Sequence, residues 1–199
     1  MTNVIKPWYY FACPIYVHSK QEWVKTLIKA TTPFIKKARQ KNASLIKQLK
    51  KDFGFSHHST PLLEDAAFEE FQKFIGNTCA QILDSQGFDL SNHTLIFSEC
   101  WVQEFALEGG GHHLTHTHTN NHMSGFYSLM SKLPEKKPEK ATLASSQINF
   151  NIDPGTLIFF NSYLPHGFHV DRGIEPFRFI HWNMQAIPNF LLNNNIEKV

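Results

Sequence analysis

The chain changes character after Asn92, where short apolar segments separated by turn residues replace longer periodic ones. Six such segments are rich in β-branched and aromatic residues and are bounded by Gly, Pro, Asn or Asp: TLIFSECWVQEFAL, SGFYSLM, SQINFNI, GTLIFF, HGFHV and FRFIHWNMQAI. Segments of this length and composition are typical of β-strands. Their spacing favours a closed or sandwiched antiparallel sheet with helices packed outside it.

The first half of the chain follows a helical period instead. Apolar residues recur at intervals of three and four from Gln21 to Gln48 and from Glu64 to Gln86, which predicts two amphipathic helical regions. Pro33 is expected to break the first region. The intervening KKDFGFSHHSTP is predicted to be a loop, with Asp65 or Thr60 as the cap of the second helix.

Length, charge and cysteine content narrow the classes of protein. A chain of 199 residues with 42% hydrophobic content suits a single globular domain. Its net charge of +2 is too mild for nucleic-acid binding as the main task, and no apolar run reaches the roughly 20 residues needed to cross a bilayer. The N-terminus lacks the features of a secretory signal and is expected to form a first strand pair. The three cysteines lack metal-type spacing, so a reducing, cytoplasmic setting is expected.

The second half also contains a short polar run rich in histidine, GGGHHLTHTHTNNHMSGFY, between Gly109 and Tyr127. His116 and His118 stand at i and i+2, so in a β-strand both imidazoles project from one face. Neutral imidazole is the commonest protein metal ligand. Asn120, two residues further on, is an alternative to His118 at the metal-facing position. The other histidines of the run are expected to be surface or hydrogen-bonding groups: His112, His113 and His122.

A catalytic metal usually needs a third protein ligand while keeping positions open for other molecules. The segment DPGTLIFFNSYLPHGFHV supplies a candidate in His166, which follows a strongly apolar predicted strand, with His169 as its competitor. Arg178 lies in the equally apolar segment FRFIHWNMQ. A buried guanidinium needs an anion, and either a ligand carboxylate or a structural partner such as Glu175, Asp171 or Glu104 would supply one.

The order of histidine pair, SGFY, PGTLIFF, LPHGF and FRFIHWN resembles the iron(II)- and 2-oxoglutarate-dependent oxygenases. More narrowly, it resembles the short prolyl-hydroxylase-like oxygenases of marine phages and bacteria, over roughly residues 95 to 187. The resemblance implies an α+β protein whose core is a double-stranded β-helix (jelly-roll, cupin-like) with N-terminal flanking helices. It also implies one oxygenase domain over 1–199, with a strand and helical flank at 1–92 and the core at 93–190.

By the same resemblance, His116, His118 and His166 hold Fe(II), and Arg178 binds the distal carboxylate of 2-oxoglutarate. Tyr127 and Trp182 are expected to contact that cosubstrate or line its pocket. O2 is the second cosubstrate and ascorbate an expected stimulant. The family's usual motif is His-x-Asp or His-x-Glu, whereas this chain has no acidic residue between Glu108 and Glu135. A three-histidine centre should therefore discriminate less well for Fe(II) and accept zinc, nickel or copper on isolation.

Three functions remain open. The leading one is hydroxylation of a prolyl or other residue in a protein or peptide, with decarboxylation of 2-oxoglutarate to succinate and CO2. The second is hydroxylation of a small molecule such as a free amino acid, and the third is a non-catalytic, cupin-like metal-binding module. The loop LPEKKPEK at 133–140 is expected to act as a lid or to select substrate. No membrane partner is expected, nucleic acid has little support, and the oligomeric state is left open.

Overall fold

The computed structural model describes residues 13–49, 56–105, 111–130, 141–143, 152–170 and 177–193. These residues form nine β-strands and three α-helices. In chain order they are β1 (Ile15–Ser19), α1 (Val24–Leu49), β2 (Ser56–His58), α2 (Glu69–Ser85), β3 (His93–Phe105), β4 (Gly111–His116), β5 (Met123–Met130), β6 (Ala141–Leu143), β7 (Thr156–Asn161), β8 (His166–Val170), β9 (Phe177–Pro188) and α3 (Asn189–Asn193). Short 3-10 turns precede α1 and α2.

Both predicted helical regions are confirmed, as α1 and α2. The expectation that Pro33 breaks the first is wrong, because α1 continues through it. In the turn before Pro33, the hydroxyls of Thr31 and Thr32 donate to the carbonyls of Leu27 and Ile28, both at 2.7 Å. The side chain of Asp65 caps the 3-10 turn that leads into α2 by accepting from the backbone N–H of Ala67 at 2.9 Å.

The strands form two antiparallel sheets. One has six strands in the order β1-β7-β5-β9-β3-β2, and the other has three in the order β4-β8-β6. Five of the predicted apolar segments correspond to β3, β5, β7, β8 and β9. The sixth, SQINFNI, lies outside the described residues except for Ile152. β2 falls within the segment predicted to be a loop, where Ser56–His58 pairs with the end of β3.

The six-stranded sheet has two faces with different surroundings. On the helix face, Ile180 and Trp182 of β9 pack in one apolar cluster with residues of α1 and α2. On the opposite face, Phe177 and Phe179 of β9 belong to a second apolar cluster. We call this opposite face the inner face, because Phe160 on it contacts His166 of the three-stranded sheet, with ring centroids 4.6 Å apart.

The close packing of the helix face explains a glycine in the SGFY segment. A Cβ on Gly125 would lie 2.3 Å from the carbonyl oxygen of Ile158 and 2.4 Å from the ring of Trp182. Such distances are far inside van der Waals contact, so the site accepts only glycine without movement of the backbone. No helix among the described residues is long and apolar enough to span a membrane.

Candidate metal centre

Three histidines converge between the two sheets. His116 ends β4 and is the register partner of His166, the first residue of β8. His118 lies two residues beyond the end of β4, where its backbone N–H donates to the carbonyl of Ser162 at 2.8 Å. One potential ligand atom from each histidine lies within 4.8 Å of the others. The structure therefore brings together the three residues that the sequence indicated as metal ligands.

Hydrogen bonds fix the orientation of two of these rings. Nδ1 of His116 donates to the carbonyl of Leu114 at 2.8 Å, and Nδ1 of His166 donates to the carbonyl of Leu164 at 2.9 Å. A hydrogen on Nδ1 leaves the lone pair of a neutral imidazole on Nε2. Nε2 of His166 is buried and has no hydrogen-bond partner in the described part of the chain, and the same holds for Nε2 of His118.

The electrostatic surroundings favour the neutral form of these rings. Burial, together with the neighbouring His116, lowers the pKa of His118 to about 4, and the Glu99 carboxylate acts in the opposite sense. Burial likewise lowers the pKa of His166 to about 4, against the effect of its hydrogen bond to Leu164. Neutral rings with free lone pairs are what a divalent transition metal requires. The three side chains thus fit a nitrogen-bound metal ion.

The histidines border a cavity of about 260 Å³. Besides His116, His118 and His166, its described lining consists of Glu99, Trp101, Gln103, His113, Phe179 and His181. Most of these residues come from the inner faces of β3 and β9, where Trp101 is the register partner of His181 and Gln103 that of Phe179. The cavity therefore lies where β3 and β9 of the six-stranded sheet face the end of β4 and the start of β8.

His181 is a fourth imidazole that the sequence reasoning missed. It is 4% exposed, and its ring lies 5.1 Å from that of His118 and 4.5 Å from that of Trp101, measured between centroids. Burial lowers its pKa well below the ordinary value, and the nearby histidines add to the effect. Its Nε2 has no hydrogen-bond partner among the residues described. Residues of FRFIHWN alternate between the two faces of β9, so His181 shares a face with Phe179. The sequence does not show which of the two faces borders the site.

A buried network of hydrogen-bonded polar side chains lies next to His118. Ser124 donates to Oδ1 of Asn183 at 2.6 Å and exchanges a second hydrogen bond with Ser162, also at 2.6 Å. Nδ2 of Asn183 lies 3.2 Å from Nδ1 of His118 and donates to the carboxylate of Glu99. Ser124, Ser162 and Asn183 are completely buried. Because an amide nitrogen only donates, the contact with Asn183 positions the His118 ring from its Nδ1 side.

Arg178 does not face the three histidines. It projects from the helix face of β9, where Nε and Nη2 both bind Oε2 of Glu104, at 2.7 and 2.6 Å. Its Nη1 donates to the hydroxyl of Thr32 on α1 at 3.0 Å. Arg39 of α1 binds the other carboxylate oxygen of Glu104. The assignment of Arg178 to 2-oxoglutarate therefore needs correction, and the structural pairing with Glu104 that the sequence also allowed is the arrangement observed.

Tyr127 and Trp182 share the helix face with Arg178, which corrects their assignment to the pocket. The hydroxyl of Tyr127 donates to the carbonyl of Lys20 at 2.6 Å, and its ring packs edge-on against Trp23. Trp182 is completely buried and packs against Phe71 of α2. Trp182 does share a face with Arg178, as their even spacing predicted, but it is the face turned away from the metal centre.

The other residues that the sequence analysis considered for the site either have a described position or lie outside the described part of the chain. Asn120 is exposed and is not part of the described cavity lining. His122 accepts a hydrogen bond from the backbone of Ala186 at 3.1 Å, as a hydrogen-bonding group should, whereas His113 lines the cavity. The side chains of His112 and His169 and the whole loop 133–140 lie outside the described residues.

Comparison with known proteins shows which proteins share the fold of this chain. No protein-family model and no curated protein matches the chain. Among solved structures, a viral collagen prolyl hydroxylase from Paramecium bursaria Chlorella virus-1 in its 2OG complex matches with a TM-score of 0.57 and 13% identity, over 87% of this chain and 96% of that one. The chain shares the fold of prolyl hydroxylases.

Two further structures agree with that assignment. A Pseudomonas putida prolyl-4-hydroxylase matches with a TM-score of 0.56 and 13% identity, over 86% of this chain and 92% of that one. A Trichoplax adhaerens prolyl hydroxylase, in complex with a peptide fragment of the hypoxia inducible factor oxygen degradation domain, matches with a TM-score of 0.54 and 10% identity, over 93% and 87%. The predicted α+β architecture, with antiparallel sheets and packed helices, is thereby confirmed at the level of fold.

Proposed function

We propose that this protein is an iron(II)- and 2-oxoglutarate-dependent dioxygenase that hydroxylates a prolyl or other residue of a protein or peptide. The observation that carries the proposal is the convergence of His116, His118 and His166 around one cavity, in a fold shared with prolyl hydroxylases. Two of these rings present an unpartnered, buried Nε2 within the described structure. A metal ion bound there satisfies atoms that otherwise destabilise the folded protein.

In this proposal the three histidines hold the metal. Fe(II) together with 2-oxoglutarate and O2 supplies the oxidising power to hydroxylate a C–H bond, with release of succinate and CO2. The backbone carbonyls of Leu114 and Leu164 keep two of the rings in the tautomer that leaves Nε2 free. The aromatic cluster of the inner face excludes water from the floor of the site.

The architecture proposed for this function is a single domain over 1–199. We take the two antiparallel sheets as the two halves of a double-stranded β-helix, with α1 and α2 against the outer surface of the larger sheet. β1 and β2, from the first half of the chain, belong to that same six-stranded sheet. Arg178, Tyr127 and Trp182 then have a supporting role. Arg178 and Trp182 hold β9 against α1 and α2, and Tyr127 holds β5 against the residues that precede α1.

A peptide is the proposed substrate. The Trichoplax prolyl hydroxylase that shares this fold is in complex with a peptide fragment. In the present chain Leu114 is 76% exposed on β4, between two histidines that line the cavity. An exposed apolar side chain at the edge of a polar cavity suits contact with an extended peptide.

A metal-binding module without catalysis is the second candidate. The observation that favours it is the charge of the cavity, because its described lining contains no lysine or arginine to pair with the distal carboxylate of 2-oxoglutarate. Zinc bound by three histidines needs no such partner.

The experiment that separates the two candidates measures succinate formed from 2-oxoglutarate under O2 with Fe(II) and ascorbate, without substrate and then with proline-containing peptides. We expect turnover by the wild type, none by His166→Ala, and wild-type turnover by His18→Gln, which changes an exposed histidine of β1 away from the cavity. Stoichiometric metal binding by a wild type that forms no succinate under any of these conditions would establish the metal-binding module instead.

A further inference from the structure

Glu99 is the one acidic side chain in the described lining of the metal cavity, and that lining contains no lysine or arginine. Glu99 is exposed, so it lies at the edge of the cavity that solvent reaches. A carboxylate has about four acceptor positions, and the amide of Asn183 donates to one of its oxygens. No lysine or arginine of the described residues forms an ion pair with it. Glu99 therefore has acceptor capacity left for a molecule that enters the cavity.

A β-bulge in β3 turns Glu99 towards the cavity. Phe97 pairs with Met184, and Glu99 pairs with Asn183, the next residue along β9. Ser98 is thus an extra residue in β3. Because Phe97 packs with the apolar cluster of the helix face, strict alternation would place Glu99 on that same face. The bulge instead places Glu99 on the inner face, and bulges often re-aim a side chain in this way beside an active site.

The surroundings of the Glu99 carboxylate suit a long side chain with a positive charge at its end. The rings of Trp101 and His181 border the same cavity, with centroids 4.5 Å apart. Their apolar surface suits the methylene stem of such a side chain, whose charged end then reaches the carboxylate. Lysine and arginine combine this stem with a charged group that only donates hydrogen bonds. In the proposed reaction the two carboxylates of 2-oxoglutarate offset the charge of a divalent metal, which leaves the charge of Glu99 for the substrate.

We infer that Glu99 selects a peptide substrate that carries a lysine or arginine at, or next to, the residue presented to the metal centre. This inference rests on the proposed function and names the substrate class of the same site. Asn183 donates to Glu99 and lies 3.2 Å from Nδ1 of His118, so the basic side chain is held beside the metal centre. Charge-assisted hydrogen bonds to the carboxylate hold its cationic end. Glu99 is not one of the three residues whose ligand atoms converge, so its role is substrate selection.

The test is a binding titration without turnover, followed by ligand-detected NMR. Zinc-loaded protein in the presence of 2-oxoglutarate is titrated with the capped peptide Ala-Ala-Lys-Pro-Lys-Ala-Ala and with the same peptide carrying norleucine in place of both lysines. Norleucine keeps the methylene stem and removes the charge. We expect the wild type to bind the lysine peptide about 5-fold more tightly, as an exposed ion pair contributes. This preference should shrink at high salt.

Glu99→Gln is the variant that tests the carboxylate. Its side chain keeps an oxygen that accepts from Asn183, and the exposed position tolerates the change. We expect it to bind the two peptides equally, with its affinity for the norleucine peptide unchanged from the wild type. Glu70→Gln is the matched control, because it removes the same charge from an exposed position on α2 outside the described cavity lining. It should keep the wild-type preference for lysine.

The outcomes separate the inference from the proposed function. No measurable binding of the lysine peptide, or equal affinity of the wild type for the two peptides, would overturn the inference, and so would a lysine preference that Glu99→Gln retains. Free lysine that binds as tightly as the lysine peptide would overturn the assignment to a peptide, because the flanking residues would then add nothing. A lysine preference that depends on Glu99, in a protein that forms no succinate from 2-oxoglutarate, would instead overturn the proposed function and leave the cation site standing.

Discussion

The ion-pair network of Arg39, Glu104 and Arg178 predicts a graded loss of stability when its members are replaced. Glu104 is fully buried, the side chain of Arg178 is 8% exposed and that of Arg39 is 50% exposed. Glu104→Leu leaves the Arg178 guanidinium buried without a counter-ion, which should cost about 3–5 kcal/mol. Arg178→Met leaves Glu104 paired with Arg39 and loses charged hydrogen bonds, at about 2–3 kcal/mol. Arg39→Met, at the surface, should cost about 1 kcal/mol or less.

The double variant Glu104→Leu/Arg178→Met gives the sharpest test of this network. Because it removes both buried charges, it should be more stable than Glu104→Leu alone. Urea unfolding of metal-free protein at pH 7, followed by circular dichroism, measures all four variants without a contribution from metal release. Wild-type stability of Arg178→Met, combined with lost affinity for 2-oxoglutarate, would refute the reasoning and return Arg178 to the cosubstrate.

Three further predictions address the packing, the protonation and the support of the site. Gly125→Ala places a methyl group against Ile158 and should lower the free energy of unfolding by about 1–3 kcal/mol; an unchanged urea midpoint would contradict the packing described for the helix face. The pKa values of His118 and His166 are depressed in the folded protein to about 4, so the unfolded chain takes up protons first as the pH falls. The stability of metal-free protein should therefore be full above about pH 6.5, the ordinary histidine value, and fall as the pH drops from there towards 4. Calorimetry from pH 7.5 to 4 checks this, and His166→Gln should flatten the dependence. Asn183→Ala removes the support beneath His118 and should weaken metal affinity by about 10-fold or more in a chelator competition, whereas unaltered affinity would show that the network is not needed.

Periodicity in the sequence was sufficient to locate most helices and strands. The three-to-four spacing of α1 and α2 and the β-rich segments of the second half reflect burial on one side of an element, which is a local property. β2 was missed because SHH has no alternation and its pairing with the end of β3 depends on residues far along the chain. The prediction at Pro33 is wrong because the local effect of proline is outweighed by the packing that holds α1 against the sheet.

The candidate site shows a different limit of sequence reasoning. The i, i+2 spacing of His116 and His118 predicts a shared strand face, yet His118 lies past the end of β4 and is positioned by a hydrogen bond to Ser162. On β9 the alternation was evident, but Arg178 suggested the wrong face because a charged residue in an apolar strand suggests a ligand. A shift of one residue exchanges every side chain between faces. His181, which does face the cavity, was therefore overlooked.

Glu99 shows how a three-histidine site can compensate for the absence of an acidic ligand. Three neutral imidazoles leave the charge of a divalent metal uncompensated by its ligands. Glu99 lines the same cavity and is hydrogen-bonded to Asn183, which lies beside His118. Its charge already acts on that ring, because it opposes the lowering of the His118 pKa. The described cavity therefore contains a carboxylate, on β3, that is not one of the three histidine ligands. A metal there would be held by nitrogen ligands and partly neutralised by a carboxylate that does not occupy a coordination position.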